Sequence, residues 1–318
     1  MLIQWHITEK CNLKCKHCYQ ENLPEELEKE KLIEIIDKII IFNEKRKGKL
    51  HINITGGEPL VRKDFFDILD VLHSKKISFG VLTNGILINK ENVKRLKNAK
   101  FVQLSIEGVE ETHDFIRGNQ NLKKVLNAIS ILRKEGIRVV ISFTAHKKNY
   151  KEFPNVCKIA RKFKVNKIWA DRLIPYGNNN IMETLNSEEV KEFFLLMRKE
   201  KEKKLFKGNL EVSMGRALQF LEGGIPYKCS AGDNFFTIMT NGDIVPCRRM
   251  PIFCDNIFNS DLTDIYNSEL FKKLRSETEP DECEKCFYVE NCNGGLRCLS
   301  YALYGTPFKK DFGCYINN

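Results

Sequence analysis

No stretch of these 318 residues carries the ~20 consecutive apolar positions that a membrane helix requires, so no segment is expected to cross a bilayer. The first residues, Met1 to Ile7, lack a basic start, a long apolar run and a small-residue cleavage site. That excludes an export signal and makes the cytoplasm the expected compartment. An arginine-rich block and an alternation of aromatic with basic residues are also missing, which argues against a nucleic-acid groove despite a formal net charge of +10. The charge comes from lysines interleaved with glutamates, as in 198–207; it reads as a solvated surface and is compatible with a mildly acidic peptide substrate. Cysteine, by contrast, is plentiful, at 12 residues. Bunched in a cytosolic chain of this length, cysteines favour metal over disulfides, and with it oxygen sensitivity.

Cys11, Cys15 and Cys18 form a CxxxCxxC group just past a short apolar run. A fourth thiol is absent from the group. A 4Fe-4S cluster normally takes a thiolate on each iron, so a trio leaves one iron open to a non-protein ligand. Zinc, whose structural sites usually want four ligands, and plain buried thiols are the competing readings.

Strand and helix signals alternate from there. A strand at 2–8 leads to a helix over 25–47, where Leu32, Ile35, Ile36, Ile39 and Ile40 recur at helical spacing and Gly48 stands at a left-handed cap. Strands at 50–55, 77–83, 101–106, 138–144 and 167–173 follow, with helices at 64–75, 90–97, 121–135 (stopped by Gly136), 150–163 and 187–206. Six such units imply an α/β fold of parallel strands with right-handed crossovers, either an open doubly wound sheet or an incomplete barrel. Chemistry then belongs at the carboxyl ends of the strands. The unusual residues fall there: Cys11 to Cys18 after the first strand, Gly56-Gly57-Glu58-Pro59 after the second, Thr83-Asn84-Gly85 after the third and Ser105 to Gly108 after the fourth.

Beyond Gly208 the periodicity changes, dividing the chain into an α/β domain, 1–208, and a cysteine-rich domain, 209–318. Cys229 and Cys247 flank a hairpin signalled by Asn241-Gly242 between alternating apolar stretches. Cys283, Cys286, Cys292, Cys298 and Cys314 follow, with Gly294 and Gly295 giving backbone freedom. CxxC hairpins are also typical zinc half-sites, so a zinc ribbon competes here. Cys157, alone on a helical stretch, reads as a buried thiol.

CxxxCxxC after the first strand together with Gly-Gly-Glu-Pro after the second resembles the radical S-adenosylmethionine (SAM) superfamily over roughly residues 1–180. The resemblance implies a partial (β/α)6 barrel in which SAM chelates the open iron and an electron from the cluster cleaves its sulfonium to a 5'-deoxyadenosyl radical. By the same resemblance Gly56 and Gly57 approach the methionine end of SAM, and Glu58 meets its ammonium. A plain tight turn is the alternative for these three. Ser105 and Arg117 resemble the pair that binds the SAM carboxylate, against a surface salt bridge. Glu107 would organise its loop or the ribose, Asn84 and Thr144 would reach the nucleoside, and His17 would lend its backbone to the adenine. Ordinary turn roles compete for Asn84 and Thr144, and a surface imidazole for His17.

The later cysteines resemble a SPASM domain, which implies one auxiliary cluster on Cys283, Cys286, Cys292 and Cys314 and another on Cys229, Cys247 and Cys298. Two departures bear on that allocation. Five residues separate Cys292 from Cys298 where the family usually has three, and Gly223 and Gly224 stand where a further cysteine is usual. The second cluster would then have an open iron, unless Cys254 closes it.

The implied activity is peptide maturation: hydrogen abstraction from a ribosomally made peptide or protein, giving a crosslink, a thioether or an oxidised residue. A low-potential donor of flavodoxin or ferredoxin type would feed it. Because the chain begins close to the cluster strand, a separate protein or the barrel rim is expected to recognise any leader peptide. Formylglycine formation of the sulfatase-maturase kind and tailoring of a tetrapyrrole or quinone precursor are alternatives within the class. A non-catalytic iron-sulfur carrier or zinc scaffold lies outside it and would have no use for a SAM cradle. Glu9, His146, Asp171 and Tyr176 lie near predicted strand ends and could line the substrate cavity; no general base is assigned.

Overall fold

The computed structural model describes residues 1–19, 26–175, 184–203, 210–276 and 280–316; Tyr176 and the boundary residue Gly208 lie outside them. The described elements are β1 (Leu2–His6), α1 (Lys29–Arg46), β2 (His51–Thr55), α2 (Phe65–Ser74), β3 (Ser78–Thr83), β4 (Val102–Ser105), α3 (Glu110–Arg117), α4 (Asn121–Lys134), β5 (Val139–Ala145) and α5 (Phe153–Lys162). There follow β6 (Lys167–Arg172), α6 (Ser187–Glu202), β7 (Glu211–Ser213), β8 (Phe235–Ile238), β9 (Asp243–Val245), β10 (Asp255–Asn256), α7 (Leu262–Tyr266), α8 (Glu269–Ser276), α9 (Val289–Cys292) and α10 (Arg297–Tyr304). The fold is α/β with parallel strands, as the alternation requires.

Three local expectations need correction. The helix expected at 90–97 is a single 3-10 turn, Val93–Leu96. Asn89 and Asn92 side chains bond the neighbouring backbone amides and the Leu87 carbonyl there, and so compete with helical bonding. Lys47, not Gly48, is the left-handed cap of α1, with φ 54 and its amide bonded to the Asn43 and Glu44 carbonyls. The stretch 110–117, which lies outside every expected helix, is the helix α3; acidic Glu110 and Glu111 open it and Arg117 closes it, matching the helix dipole.

The chain forms two compact units. The first holds residues 1–12, 26–102 and 230–276. Its strand order is β10-β9-β8-β1-β2-β3, with β1 parallel to both β2 and β8. The hairpin strand β8 thus shares a sheet with the first strand of the chain, a pairing that local patterns do not announce. Register places Trp5, Ile54, Val81 and Ile238 on one face and Gln4, Asn53 and Thr237 on the other. The apolar face is fully buried, and Phe42 of α1 packs on Phe236 of the hairpin and Tyr266 of α7.

The second unit holds residues 13–19, 103–175, 184–203, 210–229 and 280–316. Its strands run β4-β5-β6-β7, with β5, β6 and β7 in parallel register. Ile141, Ile168 and Val212 form the apolar face; Ser142, Trp169 and Ser213 lie opposite, with Thr144 beside Asp171. Arg172 falls on the apolar side, paired in register with Ala145. A guanidinium there must be neutralised. Asp311 does so through two bonds of 2.6 and 2.7 Å, with both side chains 1% exposed.

Removing one partner of that pair leaves a bare buried charge. Asp311→Asn is expected to destabilise by about 3–5 kcal/mol in urea unfolding, and Arg172→Met with Asp311→Leu by much less. A double-variant loss equal to the sum of the separate Arg172→Met and Asp311→Leu losses would mean that the pair contributes no coupling.

Candidate active site and cluster cysteines

In the first unit the loop after β2 packs on the segment that leads out of β1. The amides of Gly57 and Glu58 donate to the Thr8 and Lys10 carbonyls at 2.8 and 2.9 Å. A Cβ on Gly56 or Gly57 would strike those same carbonyls, so glycine is required by the close approach itself. The Gly57 amide is therefore taken by the chain entering Cys11. The Glu58 carboxylate, fully buried, accepts from the Thr83 hydroxyl, the Asn84 amide and the Leu60 amide at 2.7, 2.7 and 3.1 Å. Asn84 turns its side-chain amide to Asn12 Oδ1 at 2.7 Å and to Cys11 Sγ at 3.9 Å. Arg62, a residue the sequence did not single out, ties the Ile7 and Leu27 carbonyls together. Glu9 is buried beside them, and Thr8 and Lys10 both bond Glu26.

In the second unit the Glu107 carboxylate is 1% exposed and gathers three segments. Arg117 bonds Oε1 through Nε and Nη2 at 3.1 and 2.6 Å, His17 Nε2 stands 3.3 Å from it, and the Thr144 amide donates to Oε2 at 2.9 Å. Burial alone would raise the Glu107 pKa; Arg117, then His17 and the Thr144 amide, hold it well below the usual carboxylate range. Arg117 Nη1 also reaches Cys15 Sγ at 3.9 Å. The Cys18 amide bonds the Cys15 carbonyl, and the Lys16 amide bonds the Ile116 carbonyl at the end of α3. Ser105 instead shares a 3.3 Å contact with Ser142.

Among the described residues of the second unit three buried imidazole nitrogens lack hydrogen-bond partners: His17 Nδ1, His113 Nε2 and His146 Nε2. Since Nδ1 of His113 and of His146 accepts a backbone amide, from Glu107 and Lys148, each neutral ring carries its proton on Nε2 as an unused donor. Unused buried donors of this kind fit a polar ligand. Burial, reinforced for His113 by Arg117, lowers both pKa values to about 4. In the first unit His6 is likewise pushed down to about 3, by burial and then Arg248.

Cys283, Cys286, Cys292 and Cys314 line one cavity in the second unit, together with Tyr288, Gly294 and Lys310. Burial, and then the neighbouring Cys314 thiol, lifts Cys283 to about 11; burial, and then Asp311 and the other thiols, lifts Cys292 to about 12. Four thiols match the complement of a 4Fe-4S cluster. Among the described residues no three His, Cys, Asp or Glu side chains converge as ligands of a single metal ion. Cys229 and Cys298 belong to the second unit and Cys247 to the first. Cys254 turns its thiol to Ser268 Oγ at 3.0 Å, and Cys157 is fully buried in α5. Asn149, also missed, clamps the Glu107 and Thr144 carbonyls at 2.9 Å; only its place between Lys148 and Tyr150 at a strand exit could have signalled it.

An α/β scaffold with thiols and buried carboxylates at its strand exits, and a second four-thiol cavity, defines an iron-sulfur enzyme. The chain belongs to the radical SAM superfamily, matched over residues 5–160, and carries a SPASM iron-sulfur cluster-binding domain, matched over 229–287. Its cofactors are iron-sulfur clusters and SAM. It is 28% identical to the Fe-coproporphyrin III synthase of Methanosarcina barkeri, over 99% of this chain and 88% of that protein. It is 30% identical to the antilisterial bacteriocin subtilosin biosynthesis protein AlbA of Bacillus subtilis, over 91% of this chain and 66% of AlbA. The fold matches Streptococcus suis SuiB bound to S-adenosylmethionine with a TM-score of 0.80 at 20% identity, over 99% of this chain and 77% of SuiB.

His113 and His146 are neutral when folded and ordinary when unfolded, so between about pH 6.5 and 4 the unfolded chain binds more protons. Stability is thus expected to fall with pH through that window, by about 1 kcal/mol per pH unit for each histidine. Urea midpoints from pH 8 to 4 should show this slope and a shallower one for His146→Gln; an unchanged slope would refute the assignment.

Proposed function

We propose that this enzyme is a peptide maturase in which residues 1–208 hold SAM on a cluster of Cys11, Cys15 and Cys18, and residues 209–318 hold the auxiliary clusters. When bound, the first cluster and SAM together supply a 5'-deoxyadenosyl radical for hydrogen abstraction. The observation that carries this reading is the strapping of Gly56 to Glu58 onto Thr8 to Lys10, because it fixes the chain where it enters the cysteine group. Arg117 supplies the cation beside Cys15, the natural place for a carboxylate, and Glu107 holds its fork in one orientation. Ser105, Thr144 and Asp171 are polar in a sheet region that would otherwise be apolar, which suits a cofactor and substrate wall. The Nε2 donors of His113 and His146 would bind acceptor groups there. Electrons would come from a flavodoxin- or ferredoxin-type donor in the cytoplasm, with a separate protein recognising any leader. Among the described residues no helix is long and apolar enough to cross a membrane.

A second reading, tailoring of an iron tetrapyrrole, is favoured by the similarity to Fe-coproporphyrin III synthase, which spans nearly the whole chain. Formylglycine formation would be a further case of the same chemistry on a protein.

Anaerobically reconstituted enzyme with SAM and dithionite should release 5'-deoxyadenosine, and Cys15→Ala should abolish that release. Gly57→Ala should lower it at least about tenfold by displacing Lys10. Full cluster content without any 5'-deoxyadenosine would sink the radical reading. Mass change in a candidate precursor peptide, but not in an iron tetrapyrrole, supports the first substrate class; the reverse result supports the second.

A further inference from the structure

The charges around the four-thiol cavity of the second unit do not cancel. Asp311, three residues before Cys314, is clamped by Arg172 and also accepts the Leu296 and Gly313 amides, so Arg172 offsets its charge from behind, although it still pushes the Cys292 and Cys314 thiols up. Glu282 lies 3.2 Å from Lys309. Lys310 lines the cavity itself, and its ammonium donates to the Ile316 carbonyl at 3.1 Å, two residues past Cys314. Among the described residues no carboxylate lies within ion-pair distance of it. The same charge works against burial on the Cys283 and Cys314 thiols.

We propose that Lys310 sets the reduction potential of the cluster held by Cys283, Cys286, Cys292 and Cys314, raising it by favouring the more negative, reduced state. This rests on reading those cysteines as the ligands of one cluster. Reduction adds negative charge to a unit already anionic, so a fixed, unpaired cation at its edge stabilises the product more than the reactant. Carbonyl anchoring by Ile316 keeps the ammonium from swinging into solvent. Lys310 acts through the cluster and touches no reacting atom, so it is a tuning residue and not a catalytic one.

The test uses the full-length chain carrying Cys11→Ala, Cys15→Ala and Cys18→Ala, reconstituted with iron and sulfide and titrated with dithionite under EPR. The signal lost on adding Cys286→Ala belongs to this cavity. Lys310→Met should shift that signal's reduction equilibrium at least about tenfold toward the oxidised form, a drop of ~59 mV for one electron. Lys310→Arg, which keeps the charge, should recover most of it. An unmoved potential in both Lys310→Met and Lys310→Gln at parental iron content overturns the proposal, as does a Lys310→Arg value as low as that of Lys310→Met. If the parent shows no Cys286-dependent signal at all, the ligand reading itself fails, and the lysine's role falls with it.

Discussion

An ionised carboxylate taken out of water is tolerated only where donors surround it, and that condition organises both units. Around Glu107 the donors come from the cysteine loop, α3 and the exit of β5, while its backbone amide and carbonyl are taken by His113 and Asn149. One anion therefore registers the cysteine loop, α3 and the end of β5 against one another. Glu58 plays the same part in the first unit, where Thr83, Asn84 and Leu60 close around it. Neither carboxylate can shed these donors without loosening the loops that they hold. Their role is to hold other groups in place, which is how radical chemistry is directed when the cofactor supplies the reactive species.

The sheets carry the second constraint. Parallel strands are usually buried on both faces and read as unbroken apolar runs. Here one face of each unit is apolar, as with Trp5 and Ile54 or Ile141 and Ile168, while the other carries Gln4 and Asn53, or Ser142 and Trp169. Polar side chains would be costly under a helical layer. They are affordable only on a face that meets water or polar ligands, so the register itself marks the working surface. Trp169 fits this pattern: its indole N–H bonds Gln103 Oε1 at 2.9 Å and its ring carries Arg216 at 4.5 Å.

Sequence patterns revealed the alternation, the cysteine groups and the strand-exit positions, because each depends on residues close together in the chain. The helical periods of α1 and α4 and the capping box of α6, Asn186 with Glu189, are local signals of this kind. What stayed hidden was long-range or reciprocal. The pairing of β8 with β1 joins residues more than two hundred positions apart, and Arg172 finds Asp311 across 139. The part played by Glu58 was hidden for another reason: a glutamate after two glycines looks equally suited to an outside ammonium and to an inner turn, and only the positions of Thr83 and Asn84 show which donors reach it. The loop at 110–117 was hidden because its helix is short and polar, with only His113 and Ile116 buried.

The two cysteine regions of the second unit sit in different fields. At Cys15 the nearby cation is a guanidinium clamped on a carboxylate, so the thiol faces the positive end of a dipole. The influence of such a pair fades faster with distance than that of a lone charge, because the anion behind it cancels the cation at range. At the four-thiol cavity the acidic neighbour, Asp311, is paired from behind by Arg172 yet still pushes Cys292 up, while Lys310 pulls Cys283 and Cys314 the other way. Clusters of one composition acquire different potentials from such differences in surrounding charge and hydrogen bonding. For the clusters proposed there, such differences in surrounding charge would add to the one that three thiolate ligands against four already makes.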